Sequence, residues 1–213
     1  MTKENILEII SDKYGMVADR EKGFHPEVLA AICELAYNQI IYNLCLVSIT
    51  HSDYAQLDQY TKRYYNVPVQ CNTQNDEWFS ELPSSVIPLP MNRGVRYIYP
   101  MKDKKTNFIF RENGTSEVFD ETEFSLINTI PTYYVENYNV FYDDKMTQEI
   151  ASNGVGMKLI VPFRSWEDEE ILPLPAGKDL DLIAAVEAIV DQKRAEQNKP
   201  TANPTPTLDQ KLQ

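Results

Sequence analysis

One apolar stretch decides the fold of this chain: residues 26–47, which read PEVLAAICELAYNQIIYNLCLV. Apolar side chains recur there at the intervals of an α-helix, and Pro26 suits the first helical position because its missing N–H would have no partner there. The polar residues Glu27, Glu34 and Asn38 lie seven and four positions apart and form one narrow stripe. A helix with so thin a polar face is buried on most sides. We therefore expect it to pack against its own sheet and against a neighbouring subunit.

Two further helices are predicted beside this one. Residues 3–13 carry isoleucine and leucine on a helical spacing that ends near Gly15. Residues 52–65 are predicted to form a third helix, opened by Ser52 and Asp53 as capping residues. The first 65 residues therefore form a helical region.

The middle of the chain, residues 66–165, is predicted to be a β-rich region of the same domain. Four prolines exclude a helix between residues 66 and 90. After Gly94, Val95, Tyr97 and Tyr99 alternate with Arg96 and Ile98, which is typical of a strand. A turn is predicted at Lys102-Asp103-Lys104-Lys105 and a hairpin at Glu112-Asn113-Gly114. The strands predicted in this region cover residues 95–99, 108–110, 118–119, 133–142 and 155–163.

The remaining residues change character three times. Residues 166–170 form an acidic loop, and residues 171–175 form an apolar linker that two prolines stiffen. Residues 179–196 form an amphipathic helix with an apolar stripe of Leu182, Val186 and Ile189. Residues 197–213 are polar and proline-containing, so they are predicted to be an extended tail. The predicted fold class is α+β.

Charge and composition restrict the function. The 213 residues carry a formal net charge of −12, and residues 112–191 hold 17 acidic against 4 basic side chains. Such a chain is no general nucleic-acid binder, because phosphate contacts need Lys and Arg. The N-terminus lacks the pattern of a signal peptide, and no apolar run approaches the ~20 residues that span a bilayer. We expect a protein that stays in the cytoplasm or is assembled there into something larger.

Few residues suit catalysis. His25 precedes the long helix and His51 follows it, so both are interpreted as cap or loop residues. The three cysteines, Cys33, Cys45 and Cys71, lack the spacing of a zinc or redox site and indicate no disulfide framework. No glycine-rich phosphate loop is present in the sequence. The sequence therefore predicts no catalytic residues, no metal and no cofactor.

Two acidic clusters leave an alternative open. Asp143-Asp144 and residues 167–170 offer carboxylate oxygens of the kind that bind Ca²⁺ or Mg²⁺. Solvated loops are the simpler interpretation, because adjacent carboxylates on a chain usually diverge. The alternative function is a metal-dependent enzyme acting on nucleic acid or a phosphoester. An adaptor subunit of a cellular complex is a third possibility.

A basic segment precedes the acidic one. Between residues 93 and 111 there is one acid, Asp103, and six basic residues: Arg93, Arg96, Lys102, Lys104, Lys105 and Arg111. In a homo-oligomer this segment could meet the acidic residues 112–191 of the next subunit, and such complementarity fixes register and orientation. A solvated hairpin turn is the other interpretation of the same residues.

Several motifs together resemble a known group of proteins. The stretch ELPSSVIPLP at 81–90 leads into GVRYI at 94–98, and IVPF at 160–163 is followed by the acidic loop, LPLPAG at 172–177 and a helix. Residues 80–213 resemble virion structural proteins of crAss-like podoviruses in these features. The resemblance implies a ring protein of the head–tail connector, one of those that stack as twelve-fold rings below the portal. It transfers no catalytic residue.

The expected function is therefore a virion structural subunit, assembled in the host bacterial cytoplasm, that forms a homo-oligomeric ring. Its expected partners are the portal and other ring proteins, with no membrane and no specific nucleic-acid binding, while DNA passes through the lumen. The acidic residues 112–191 are expected to contribute to the channel wall, and residues 198–213 to lie on a neighbouring subunit. The predicted partner-binding residues are Leu172, Pro173, Leu174, Pro175, Leu182, Val186, Ile189, Lys102, Lys104 and Lys105.

Overall fold

The computed structural model describes residues 1–15, 23–74, 77–112, 130–143 and 145–197. They combine helix and sheet, as the sequence predicts. The helices are α1 (Lys3–Tyr14), α2 (Pro26–Thr50), α3 (Tyr54–Leu57), α4 (Gln148–Asn153) and α5 (Lys178–Gln197). The strands are β1 (Thr61–Val67), β2 (Gln70–Asn72), β3 (Glu77–Glu81), β4 (Val95–Pro100), β5 (Ile109–Phe110), β6 (Thr132–Glu136), β7 (Asn139–Tyr142) and β8 (Val155–Ile160).

The predictions for the two N-terminal helices are confirmed. In α1, the Thr2 side chain accepts a hydrogen bond from the Asn5 backbone N–H and caps the helix. In α2, Pro26 occupies the start of the helix, as predicted. By length and composition α2 also meets the criterion for a membrane-crossing helix, contrary to the prediction that no segment would. Core helices of soluble proteins meet the same criterion, so this is weak evidence.

The predicted third helix is wrong over most of its length. Only Tyr54–Leu57 is α-helical; a 3₁₀ turn follows at Asp58–Tyr60, and β1 begins at Thr61. Residues 61–67 read TKRYYNV and contain the β-branched and aromatic residues that suit a strand. Pairing with β8, about a hundred residues later, overrides the local helical pattern.

β8 is the central strand of the first sheet, in which β1 and β4 pair antiparallel on its two sides. The predicted strand at 155–163 is confirmed as far as Ile160, and a 3₁₀ turn begins at Phe163. In β4, Val95 and Ile98 are both buried, so the predicted alternation is only partly right. A register shift between Val95 and Tyr97 changes which residues face the core.

The second sheet has the order β2-β3-β7-β6-β5, and β5 pairs parallel with β6. The predicted single strand at 133–142 is wrong, because it is a hairpin of β6 and β7. Asn137 and Tyr138 form its turn with φ angles of 48° and 66°. Two positive φ angles give the turn whose twist matches a two-residue hairpin. The hairpin predicted at Glu112-Asn113-Gly114 and the strand at 118–119 fall outside the described residues.

The N-terminus is tied to the loop and linker that precede α5. Thr2 forms an isolated bridge with Ile171, and the Leu172 N–H donates to the Met1 carbonyl at 3.2 Å. Lys3 Nζ donates to the Trp166 carbonyl at 2.8 Å. The linker is thereby fixed to its own chain.

The predicted C-terminal helix is confirmed as α5, which packs against α2 and α1. One hydrophobic core includes residues from these helices and from both sheets, among them Ile10, Ile41, Tyr142, Met157 and Leu182. The tail predicted at 198–213 lies outside the described residues.

Candidate functional site

The outer side of the first sheet combines cations with tyrosines. Arg63 of β1 lies opposite Lys158 of β8, and Lys158 lies opposite Tyr97 of β4. Side chains directly opposite each other on paired strands share a face of the sheet. These residues line an open groove of about 460 Å³ together with Tyr65, Tyr99 and Lys104. We name the six residues, Arg63, Tyr65, Tyr97, Tyr99, Lys104 and Lys158, the basic tyrosine face.

Two lysines of the basic tyrosine face rest on aromatic rings. Lys158 Nζ lies 5.1 Å from the centroid of the Tyr97 ring, and Lys104 Nζ lies 5.4 Å from that of Tyr65. Within the described part of the chain, no acidic side chain forms an ion pair with Arg63, Lys104 or Lys158. Their positive charge is therefore not neutralised by a neighbouring carboxylate.

Asp58 is the acid that lines this groove, and Arg96 already binds it. Asp58 Oδ1 accepts hydrogen bonds from Arg96 Nε at 3.1 Å and from Arg96 Nη2 at 3.0 Å. The Arg96 side chain is nearly buried, so this pair is a structural link between the 3₁₀ turn and β4. The Asp58 carboxylate is thus bound by Arg96, a cation that is not part of the basic tyrosine face.

A glycine makes room for the floor of the groove. A Cβ atom at Gly156 would lie only 2.3 Å from Cε2 of Tyr99, so the tyrosine ring occupies the space that a side chain would fill. Burial raises the pKa of both Tyr99 and Tyr97, and for Tyr97 the nearby Asp58 carboxylate adds to the effect. Both phenol groups are therefore neutral near pH 7 and do not reduce the positive potential of the groove.

The groove can attract an anionic group. Two like charges directly opposite each other destabilise a sheet, by roughly 0.2–1 kcal/mol for a cross-strand pair. An external carboxylate or phosphate between Arg63 and Lys158 would remove this repulsion and accept charge-assisted hydrogen bonds from both. The arrangement is that of a binding surface.

The predicted partner-binding residues of the linker and α5 do not form one surface. Leu182 and Val186 are 0% exposed and Leu172 is 2% exposed, all within the core of their own chain. The prediction that these three bind a partner is wrong, because no side-chain area is left for another subunit. Val190, which the predicted stripe omits, is also fully buried, whereas Ile189 is half-buried. Pro173, Leu174 and Pro175 are half-buried too, and a partner role for these four residues stays a prediction.

The three predicted lysines have different surroundings. Lys102 Nζ binds the Glu149 carboxylate at 2.9 Å, so it is engaged within the chain. Lys104 belongs to the basic tyrosine face. Lys105 is exposed on the turn, where its backbone N–H donates to Asp103 Oδ1. A partner role of these lysines stays a prediction.

The acidic clusters are linked to their own chain at several points. Asp143 Oδ2 accepts from the Thr132 hydroxyl at 2.8 Å, and Glu170 Oε2 accepts from Lys62 Nζ at 2.5 Å. Among the residues that the structure describes, no group of three or more His, Cys, Asp and Glu side chains could hold a metal ion. Asp144, which the metal-enzyme alternative also names, lies outside those residues.

The histidines and cysteines lie apart from the groove. His25 is at the N-cap of α2 and makes no capping hydrogen bond with its side chain, and His51 is at the C-cap. Cys33 and Cys45 are buried and Cys71 is half-buried. Burial raises the pKa of Cys33 to about 11 and that of Cys45 to about 12.

The outer side of α2 is a second exposed feature, and it is partly apolar. Leu35 is 60% exposed, Val47 55% and Val28 40%. The predicted polar stripe lies elsewhere on the helix: Glu34 pairs with Arg164, and Asn38 Oδ1 accepts from the Phe163 N–H at 3.1 Å. The helix thus turns Glu34 and Asn38 toward its own chain, while Leu35, Val47 and Val28 face solvent beside the exposed Gln39 and Asn43.

Sequence reasoning missed two cations of the groove. Arg63 falls in the segment predicted to be helical, so its position on a strand could not be seen. Lys158 interrupts an otherwise apolar strand, VGMKLI, and this lone charge is the signal that could have indicated an outward face.

No protein-family model matches this chain, and no match was found among curated proteins.

Proposed function

We propose that this chain is a structural subunit of an oligomeric ring, of the kind that the resemblance to head–tail connector proteins implies. The apolar outer side of α2 carries the proposal. Val28 and Leu35 lie two turns apart on one side of the helix, and Val47 is exposed nearer its end, beyond the polar Gln39 and Asn43. Exposed apolar side chains grouped on one side of a helix favour a contact with another protein surface. In this proposal the chain is not an enzyme.

The polar contacts of α2 strengthen the case. Asn38 and Glu34 hold the helix against the 3₁₀ turn at Phe163–Ser165, so the helix cannot rotate to bury its outer side without breaking them. Leu35 stays outside as a consequence. This agrees with the expectation that α2 needs both its own sheet and a neighbouring subunit.

The proposal includes a channel through which DNA passes. Glu167 and Glu169 are exposed and form no ion pair with a described cation, and they belong to the segment expected to contribute to the channel wall. A negative wall repels phosphates and lets DNA slide. Assembly in the host bacterial cytoplasm, incorporation into the virion and docking of residues 198–213 on a neighbour belong to the same proposal.

Leu35→Glu tests the proposal. We expect the purified wild-type chain to form a closed ring in light scattering and electron microscopy. Leu35→Glu should be folded by circular dichroism but monomeric, because a charge in the contact is costly to bury. Leu180→Glu is the matched control: Leu180 is 66% exposed at the start of α5. A wild-type chain that stays monomeric at high concentration contradicts the proposed function, whereas normal assembly of Leu35→Glu excludes α2 as the contact.

A further inference from the structure

α1 carries an acidic stripe on its outer side. Glu4, Glu8 and Asp12 are spaced four residues apart and are all exposed. Like charges at this spacing repel each other along a helix. None of the three forms an ion pair with a cation in the described ranges. The two lysines of α1 are bound elsewhere, to Asp168 and Glu187.

Most other acidic groups near the surface are engaged within the chain. Among the described residues of the segment 112–191, six carboxylates pair with lysines: Asp143, Glu149, Asp168, Glu170, Asp181 and Glu187. The net charge of this segment therefore overstates what it presents to a neighbour. The acidic stripe keeps its three charges unpaired, as the basic tyrosine face keeps those of Arg63, Lys104 and Lys158.

We propose that the basic tyrosine face binds the acidic stripe of α1 in a second copy of the chain. This inference rests on the proposed function and names the contact that closes the ring. Two unlike surfaces of one chain make a head-to-tail contact, which gives a ring if the rotation closes. Complementary charges fix the register of such a contact more than they supply affinity.

The apolar parts of the two surfaces also correspond. Tyr65 is half exposed at the rim of the groove, and tyrosine offers a large ring with a polar tip that suits a partly wet interface. Ile9 of α1 is exposed and lies three residues before Asp12, so it is next to the acidic stripe on the helix surface. The tyrosine rings pack against this isoleucine while the cations bind the carboxylates.

A charge swap between two variants tests the contact. Arg63→Glu/Lys158→Glu makes both surfaces acidic, and Glu8→Lys/Asp12→Lys makes both basic. Each variant alone should need at least ~tenfold more protein to assemble than the wild type. This corresponds to a loss of about 1.4 kcal/mol of association free energy. An equimolar mixture should assemble again, because each variant then finds the opposite charge on the other. Native mass spectrometry measures the composition of the mixed rings.

Two controls keep the result interpretable. Lys193→Glu reverses an exposed cation outside the basic tyrosine face and should assemble as the wild type does. Arg63→Gln/Lys158→Gln removes the cross-strand repulsion without adding negative charge, so it should fold and still assemble poorly. This second variant separates loss of the contact from loss of the fold.

Each outcome decides between the two proposals. If the wild type and both swapped variants assemble equally, the contact is overturned and the proposed function stands. If the wild type never assembles, the proposed function fails and the contact with it. If each variant is folded and monomeric but the mixture does not assemble, the two surfaces do not bind each other. If a labelled single-stranded oligonucleotide binds the wild type, and Arg63→Glu/Lys158→Glu loses that binding but assembles normally, the groove binds nucleic acid instead.

Discussion

The two long helices, α2 and α5, use their apolar residues in opposite ways. Helix α5 turns Leu182, Val186 and Val190 into the core and leaves none of them exposed. Helix α2 is apolar nearly all round, so its own chain covers one side and leaves Leu35 and Val47 in solvent. An apolar stripe therefore does not reveal by itself whether its own chain or another covers it.

This difference moves the expected assembly contact. The sequence predicts that the stripe of α5 binds a partner, but α2 and α1 of the same chain pack against this helix. The outer side of α2 has no such cover among the described residues. The experiments below separate the helix that holds the subunit together from the helix that is available to a neighbour.

The largest effect is expected in the core. Leu182→Ala should lower the free energy of unfolding by roughly 2–5 kcal/mol, because the change leaves a cavity beneath a fully buried side chain. Leu180→Ala, in the same helix but largely exposed, should change it by no more than about 0.5 kcal/mol. Urea unfolding of both variants gives the two values. Equal losses would mean that α5 is not packed as described.

A smaller effect is expected where α2 is anchored by a polar group. Asn38→Ala removes the acceptor for the Phe163 N–H and should lower the free energy of unfolding by about 1 kcal/mol. Gln39→Ala is the neighbouring control, since the Gln39 side chain is exposed and its hydrogen bond is to Asn43 on the same helix. If both substitutions have the same small effect in thermal unfolding, Asn38 does not hold the helix in place.

Thiol labelling should report whether the inner side of α2 is buried, and it needs no substitution that changes stability. Burial raises the pKa of Cys33 to about 11 and that of Cys45 to about 12, so few thiolates form at pH 8 and reagents have poor access. We expect Cys71 to react first with a thiol reagent, and the two helical cysteines only after urea is added. Rapid labelling of all three in the native chain would mean that α2 leaves the core.

The elements that the sequence predicted well are those with strong local signals. Pro26 and the helical spacing of the apolar residues predicted α2, and the alternation that begins after Gly94 predicted β4. The errors arose where distant residues decide the structure: residues 61–65 join a sheet through β8, and Asn137 and Tyr138 bend what looked like one strand. The basic tyrosine face shares this difficulty, since its residues come from β1, β4, β8 and a turn. Only contacts across the fold bring such charges together.

The contacts between residues 1–3 and residues 166–172 have a consequence for folding during synthesis on the ribosome. Met1, Thr2 and Lys3 find their partners only when residues 166–172 have left the ribosome. Strand β1 waits in the same way for β8, about a hundred residues further along the chain. Such distant pairings slow folding, because a long loop must close before its contacts form. A nascent chain halted before residue 166 would thus expose the apolar sides of α1 and α2 and depend on chaperones until translation resumes.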